Sequence, residues 1–126
     1  VISKFSRIGE EINIGEGTCI APGAILTTRI QIGHHCIVNI KASISHDCAI
    51  GDFVNINPGA TLCGDVTLGD GAYIGAGATV AEKVRIGANT IVGAGAVVIH
   101  DLPEDVTAVG IPARIIKRHG VPKIPA

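Results

Sequence analysis

His46 is followed at once by Asp47, and eighteen residues later Gly64 is followed by Asp65. An imidazole beside a carboxylate is the smallest kit for moving a proton. The ring accepts it, while the carboxylate fixes the tautomer and favours the protonated form. A residue without a side chain bares its backbone N–H, which can stabilise an oxygen that turns negative as its carbonyl is attacked. Placed side by side, the two pairs suit acyl transfer from a thioester to an amine or hydroxyl. A plainer reading also fits, a solvated histidine beside a solvated aspartate at a turn. Asp47 and Asp65 are both open as the carboxylate that partners His46.

A repeat would bring residues eighteen apart together, and the chain has one. An aliphatic residue returns every six positions from Ile2, Ile8 and Ile14 through to Val92 and Val98. The next residue is often glycine, as at Gly33, Gly51, Gly69 and Gly87. Four places after the aliphatic comes a small or β-branched residue, such as Ala24, Cys36, Ala42, Cys48, Ala60 and Ala78. Neither an α-helix nor a flat amphipathic strand has a strict period of six. Each hexad predicts a short strand and a corner, with the aliphatic and the small residue pointing inward. Three hexads close a triangle of eighteen residues, and successive triangles stack at roughly 4.8 Å. An interior this narrow has no room for large rings, in keeping with 2% aromatic residues.

Lining up the chain at a period of eighteen gives three rows of corners. The first holds Thr28-Arg29, His46-Asp47, Gly64-Asp65 and Glu82-Lys83. The second holds Glu16-Gly17, His34-His35, Asp52-Phe53, Asp70-Gly71 and Ala88-Asn89. The third holds Pro22-Gly23, Ile40-Lys41, Pro58-Gly59, Ala76-Gly77 and Ala94-Gly95. The expected architecture is all-β, a parallel β-helix of a little over five turns across residues 1–101, with a C-terminal loop and arm over 102–126. The period is lost after Val98, and Pro103 with its acidic neighbours predicts a loop. Val106 to Ile116 reads as an extended strand or arm. The segment after His119, with Pro122 and Pro125, reads as loose.

Composition narrows the function. The chain is one domain of 126 residues with a net charge of −1, one Tyr and two Phe. Without a basic stripe or stacking aromatics, nucleic acid is not an expected partner. No stretch is apolar for the length a bilayer requires, and no signal peptide is present, so a cytoplasmic setting and no membrane are expected. None of the four cysteines forms a CxxC. Cys36 and Cys48 fall on the inward small position, and all four read as packing thiols. No metal site is expected: His34 and His46 lie on different corner rows, and a close pair of histidines with four residues between them is absent. The chain contains no Met, which predicts a processed, truncated or engineered chain with further sequence N-terminal to Val1.

The run of hexads over residues 2–118 resembles the hexapeptide-repeat acyltransferases. Periodicity leaves the hand of the coil open, and general connection rules favour a right-handed one; the resemblance implies a left-handed parallel β-helix. The stretch Ile44-Ser45-His46-Asp47-Cys48-Ala49-Ile50-Gly51-Asp52-Phe53 resembles the catalytic segment of bacterial sugar acetyltransferases, the sialic acid O-acetyltransferase (NeuD-like) and nucleotide-sugar N-acetyltransferase group. The resemblance implies that acetyl-CoA is the co-substrate, that His46 is the general base and that Asp47 is its partner. Asn39 and Asn55 would lie near the acceptor sugar, Asn55 standing where some relatives carry a second histidine. Gly64 would offer its amide to the acetyl carbonyl. The segments Gly75-Ala76-Gly77-Ala78 and Gly93-Ala94-Gly95-Ala96 resemble the smooth wall along which a pantetheine arm lies. The stretch Val109-Gly110-Ile111-Pro112-Ala113-Arg114 resembles the family's terminal coenzyme A segment, with Lys117 or Arg118 available to the 3′-phosphate. Arg114, Lys117, Arg118 and Lys123 make this tail basic. The family habit is a homotrimer with coenzyme A between adjacent prisms. No long loop interrupts the hexads, so the acceptor is expected to be held by a neighbouring subunit or by an N-terminal domain. The competing expectation is a non-catalytic trimerising β-helix scaffold, or a truncated module without its acceptor-binding domain.

Overall fold

The computed structural model describes residues 1–120, which form a β-solenoid of about six turns. Each hexad contributes a two-residue strand whose second residue is the periodic aliphatic. Examples are Ser43–Ile44, Ala49–Ile50 and Asn55–Ile56. Strands pair in parallel with their counterparts eighteen residues away: Leu26 with Ile44, Ile44 with Leu62, and Leu62 with Val80. One face is a ladder of Cys19–Ile20, Ile37–Val38, Asn55–Ile56, Tyr73–Ile74 and Ile91–Val92, continued by Val106–Val109. The other two faces form a nine-stranded sheet, joined where Arg7–Ile14 and Ile25–Ile32 run unbroken around a corner.

The interior is the one the period implies. Ile44, Leu62, Ile74 and Val80 are fully buried, and so are the small residues Ala42, Ala60, Ala72 and Ala78. Alternation of bulk and smallness fills the triangular bore at interior density. The chain turns each corner through a residue in the left-handed region, three places after the aliphatic. Glycine does this at Gly59, Gly77 and Gly95, but Arg29, Lys41, Asp47, Phe53 and Asp65 also adopt positive φ. That conformation is uncommon for residues with a Cβ. The stacked coils hold it in place: Asp65 N–H donates to the His46 carbonyl and Lys83 N–H to the Gly64 carbonyl.

The coil does not stop at residue 101, where its end was expected. Leu102 bridges to Ile86, and Ala108 pairs with Val92, each sixteen residues apart instead of eighteen. One hexad, between Val98 and Leu102, is shortened by two residues. The pattern then resumes, with Leu102, Val106 and Ala108 buried. The expected arm is present as Arg114–Arg118, which turns back antiparallel on Val106–Val109. The expectation of a loose end from residue 121, and Lys123 with it, lies outside the described residues.

Thr90 ties this last coil to the prism. Its buried hydroxyl donates to the Pro103 carbonyl at 2.6 Å and accepts from Val106 N–H at 3.3 Å. Thr90→Val keeps the shape and strands both backbone groups. The expected cost is about 1–3 kcal/mol, read from the midpoint of denaturant unfolding; an unchanged midpoint would show that Thr90 does not anchor the coil.

Candidate active site

The first corner row brings His46, Asp47, Gly64 and Arg29 together. Asp65 N–H donates to the His46 carbonyl at 2.8 Å, so the second pair sits one coil above the first. His46 Nδ1 lies 2.9 Å from Asp47 Oδ2. An ionised carboxylate only accepts hydrogen bonds, so Nδ1 is the donor, and in a neutral ring the lone pair would then sit on Nε2. A Cβ placed on Gly64 would stand 2.5 Å from His46 Nε2 and 2.6 Å from its Cε1. The ring occupies the space a side chain would take. Gly64 is buried against it.

The Gly64 N–H is one of the corner donors that the next coil does not cap. On the second corner row, the equivalent N–H groups of Glu16, His34 and Asp52 each donate to a side chain one coil higher, namely His34 Nδ1, Asp52 Oδ1 and Asp70 Oδ1. Among the described residues no protein acceptor takes the Gly64 N–H. It is a donor without a partner in the protein.

Asp47 is the charged anchor. Arg29, one coil below, clasps it with Nε to Oδ1 at 2.8 Å and Nη2 to Oδ2 at 3.1 Å. The hydrogen bond from Arg29, then the one from His46, hold the Asp47 carboxyl down at about 2. Asp47, and not Asp65, is therefore the partner of His46 in this structure. Arg29 went unassigned in the sequence, although an opposite charge eighteen residues from Asp47 in the same row was there to be read. The group sits on an open ridge, with the side chains of His46 and Asp47 55% and 42% exposed.

The remaining site candidates lie elsewhere on the single prism. Ala76 and Ala94 are exposed on the third corner row, where Cβ atoms on Gly77 and Gly95 would meet nothing within 4 Å. Asn39 opens that same row, its Oδ1 accepting from Ile40 N–H at 2.8 Å. Asn55 is half-buried on the seven-stranded face between Ile37 and Tyr73. Ile111, exposed, and Pro112, half-buried, form the link before the final strand, and Lys117 is exposed on that strand opposite Thr107. Ala76, Ala94 and Asn39 thus stand at a different vertex of the triangle from His46.

The cysteines are free thiols, and burial pushes the Cys36 and Cys48 thiols up. Cys48 donates to the Cys63 carbonyl at 3.3 Å, inside the coil and away from the ridge. His34 and His35 are taken up in the second row, His34 in the polar ladder and His35 stacked on Phe53 at 5.5 Å between ring centroids. Among the described residues no cluster of three or more His, Cys, Asp or Glu is placed to hold a metal. No helix among them is long and apolar enough to cross a membrane.

Stacked parallel hexads with chemistry confined to outward corners define a hexapeptide-repeat β-helix. Residues 65–100 match the family described as bacterial transferase hexapeptide (six repeats), and the fold is that of a left-handed hexapeptide-repeat β-helix. It is similar to the acetyltransferase domain of PglB from Neisseria gonorrhoeae, at 32% identity over 92% of this chain and 57% of that one, with a TM-score of 0.91. It is similar to WeeI from Acinetobacter baumannii, at 42% identity over 90% of this chain and 56% of that one, with a TM-score of 0.87. It is also similar to a variant of perosamine N-acetyltransferase from Caulobacter crescentus solved with CoA and GDP-perosamine. There the identity is 39% over 93% of this chain and 53% of that one, with a TM-score of 0.81. The chain spans a little over half the length of these relatives. No curated protein sequence matches it.

The depressed Asp47 value sets a pH dependence. Whatever these contacts add to stability is complete above the ordinary value of 3.8 and is lost as the pH falls through about 2. A carboxyl titration of Asp47 by NMR should give a midpoint near 2. Arg29→Gln should raise it; a midpoint that does not move would mean the clasp is absent in solution. Gly64→Ala should leave the fold intact while displacing the His46 ring, visible as a change in the ring's NMR shifts.

Proposed function

We propose that this chain is the acetyl-transferring part of a sugar acetyltransferase, moving acetyl from acetyl-CoA to an amine or hydroxyl of a sugar of the nucleotide-linked amino sugar or sialic acid class. One observation carries the proposal: an imidazole whose Nδ1 is engaged by a carboxylate and whose Nε2 lies against Gly64, with an N–H that no protein group accepts, on a fold shared with an acetyltransferase domain and a perosamine N-acetyltransferase.

His46 Nε2 takes the proton of the acceptor amine or hydroxyl as that group attacks the thioester carbonyl. The oxygen becomes negative and is met by the Gly64 N–H. Collapse of the tetrahedral intermediate breaks the carbon–sulfur bond, and the departing thiolate recovers the proton from His46. Asp47 holds the tautomer and balances the transient imidazolium. Transfer is direct, since the Cys48 thiol is turned inward and burial pushes it away from ionisation.

The corner geometry supports assembly. Within one prism the smooth wall at Ala76 and Ala94 and the His46 ridge are different vertices. A pantetheine arm lined by both needs the third corner of one copy against the first corner of the next, a head-to-tail contact that gives a ring when its rotation closes. We therefore assign coenzyme A to the cleft of a homotrimer, with Gly64 at the carbonyl, Ala76 and Ala94 along the arm, and Ile111, Pro112 and Lys117 towards the nucleotide end. Asn39 and Asn55 are assigned to the acceptor. Ile37, Tyr73 and Ile91, exposed in one strip on the seven-stranded face, offer apolar surface for such packing. The four free thiols fit a cytoplasmic setting.

Release of free thiol from acetyl-CoA, measured against nucleotide-linked amino sugars and sialic acid, tests the reaction. His46→Ala should lower turnover by roughly 10²–10⁴-fold while calorimetry still detects coenzyme A. Retained turnover would remove His46 from the mechanism. Absence of binding heat with the unaltered protein would favour a non-catalytic scaffold.

A further inference from the structure

Arg29 is the one strong contact of the ridge that the proposed reaction leaves without a task. It stands one coil below Asp47 in the same row, and it adopts a positive φ of 51° that few long side chains accept. Its fork meets both Asp47 oxygens, at 2.8 and 3.1 Å. One of these, Oδ2, is the oxygen facing His46 Nδ1 at 2.9 Å. Residues 29, 46 and 47 thus form a relay: guanidinium, carboxylate, imidazole.

The relay matters because its surroundings are wet. A lone His–Asp contact on an open ridge contributes little and competes with water for each partner. An aspartate held by a single hydrogen bond can rotate about both side-chain torsions, and the imidazole can then exchange its proton between the two nitrogens. A bidentate guanidinium fixes the plane of the carboxylate, which a lysine point charge cannot do. With that plane fixed, Oδ2 stays on Nδ1. The nitrogen left bare is then Nε2, the one against Gly64.

We infer that Arg29 is a positioning residue that sets the His46 tautomer through Asp47. It touches no reacting atom. Its catalytic consequence rests on the acetyltransferase reading above; the tautomer does not, and that separates the two in experiment. A purely structural Arg29 would change stability and leave the ring as it is. An Arg29 that served as an anion contact would alter the apparent affinity for acetyl-CoA.

The test is nitrogen NMR of the histidine-labelled protein, recorded where the ring is neutral, with the His46 signals assigned through His46→Gln. The unaltered protein should show a protonated Nδ1 and a bare Nε2. In Arg29→Gln the two nitrogens should move towards each other as the tautomers mix, and Arg29→Lys should restore the pattern only in part. Asp47→Asn should abolish the preference, and adding Arg29→Gln to it should change nothing more. On the acetyltransferase reading, kcat should fall on the order of ten-fold or more in Arg29→Gln, with KM for acetyl-CoA unchanged. An unaltered tautomer in Arg29→Gln would overturn the inference, as would a rise in KM alone. If the tautomer responds as expected but the unaltered protein transfers no acetyl group, the acetyltransferase reading fails and the relay stands.

Discussion

Everything in this molecule hangs on the closure of one triangular coil in eighteen residues. The bore admits one branched aliphatic and one small side chain per hexad, so each coil must fall directly on the last. The backbone hydrogen bonds that climb the stack, such as those from Asp65 to His46 and from Lys83 to Gly64, follow from that register. Side chains distant in sequence become vertical neighbours with no loop to arrange them. The last coil shows how the constraint behaves when broken: two residues are lost between Val98 and Leu102, and the ladder takes up again with Leu102 against Ile86. That break lies well above Gly64, so the ridge is untouched by it.

The three corner rows use the same backbone for different ends. On the second, aspartate and histidine side chains cap the N–H groups of the coil below, as Asp70 does for Asp52 and Asp52 for His34. That satisfies the N–H groups of Glu16, His34 and Asp52. On the third, Gly77 and Gly95 present open space. Only on the first does an uncapped N–H lie beside a titratable ring. The strain of placing Arg29 and Asp47 in the left-handed region is borne by the coils on either side, and it aligns two opposite charges eighteen residues apart. Residues held in such conformations often mark sites where geometry matters more than local preference.

Much of this could be read before any coordinates. A period of six, held from Ile2 to Val98, gives coil length, inward positions and corner rows by counting alone. The adjacency of His46 and Gly64 is a matter of arithmetic. What counting does not supply is side-chain direction. Asp47 and Asp65 are equivalent in the row, and only the rotamers place the first on His46 Nδ1. The Arg29 clasp depends on the same detail, although its charge and spacing were visible. The end of the coil was misplaced because a shortened hexad looks like a lost one. Leu102, Val106 and Ala108 carry the familiar spacings of four and six, displaced by two. Asn39, Asn55, Ala76 and Ala94 were assigned on the strength of a resemblance that sets coenzyme A between adjacent prisms. In a single prism they occupy other vertices or faces, since a triangle cannot bring its own corners together.

The most direct measurement is a crystal structure of the chain with coenzyme A bound. The account predicts the thiol on the first corner row, within contact distance of both the Gly64 N–H and His46 Nε2, with the pantetheine arm running against Ala76 and Ala94 of an adjacent copy. Coenzyme A bound with its thiol at another corner, away from His46, would contradict it.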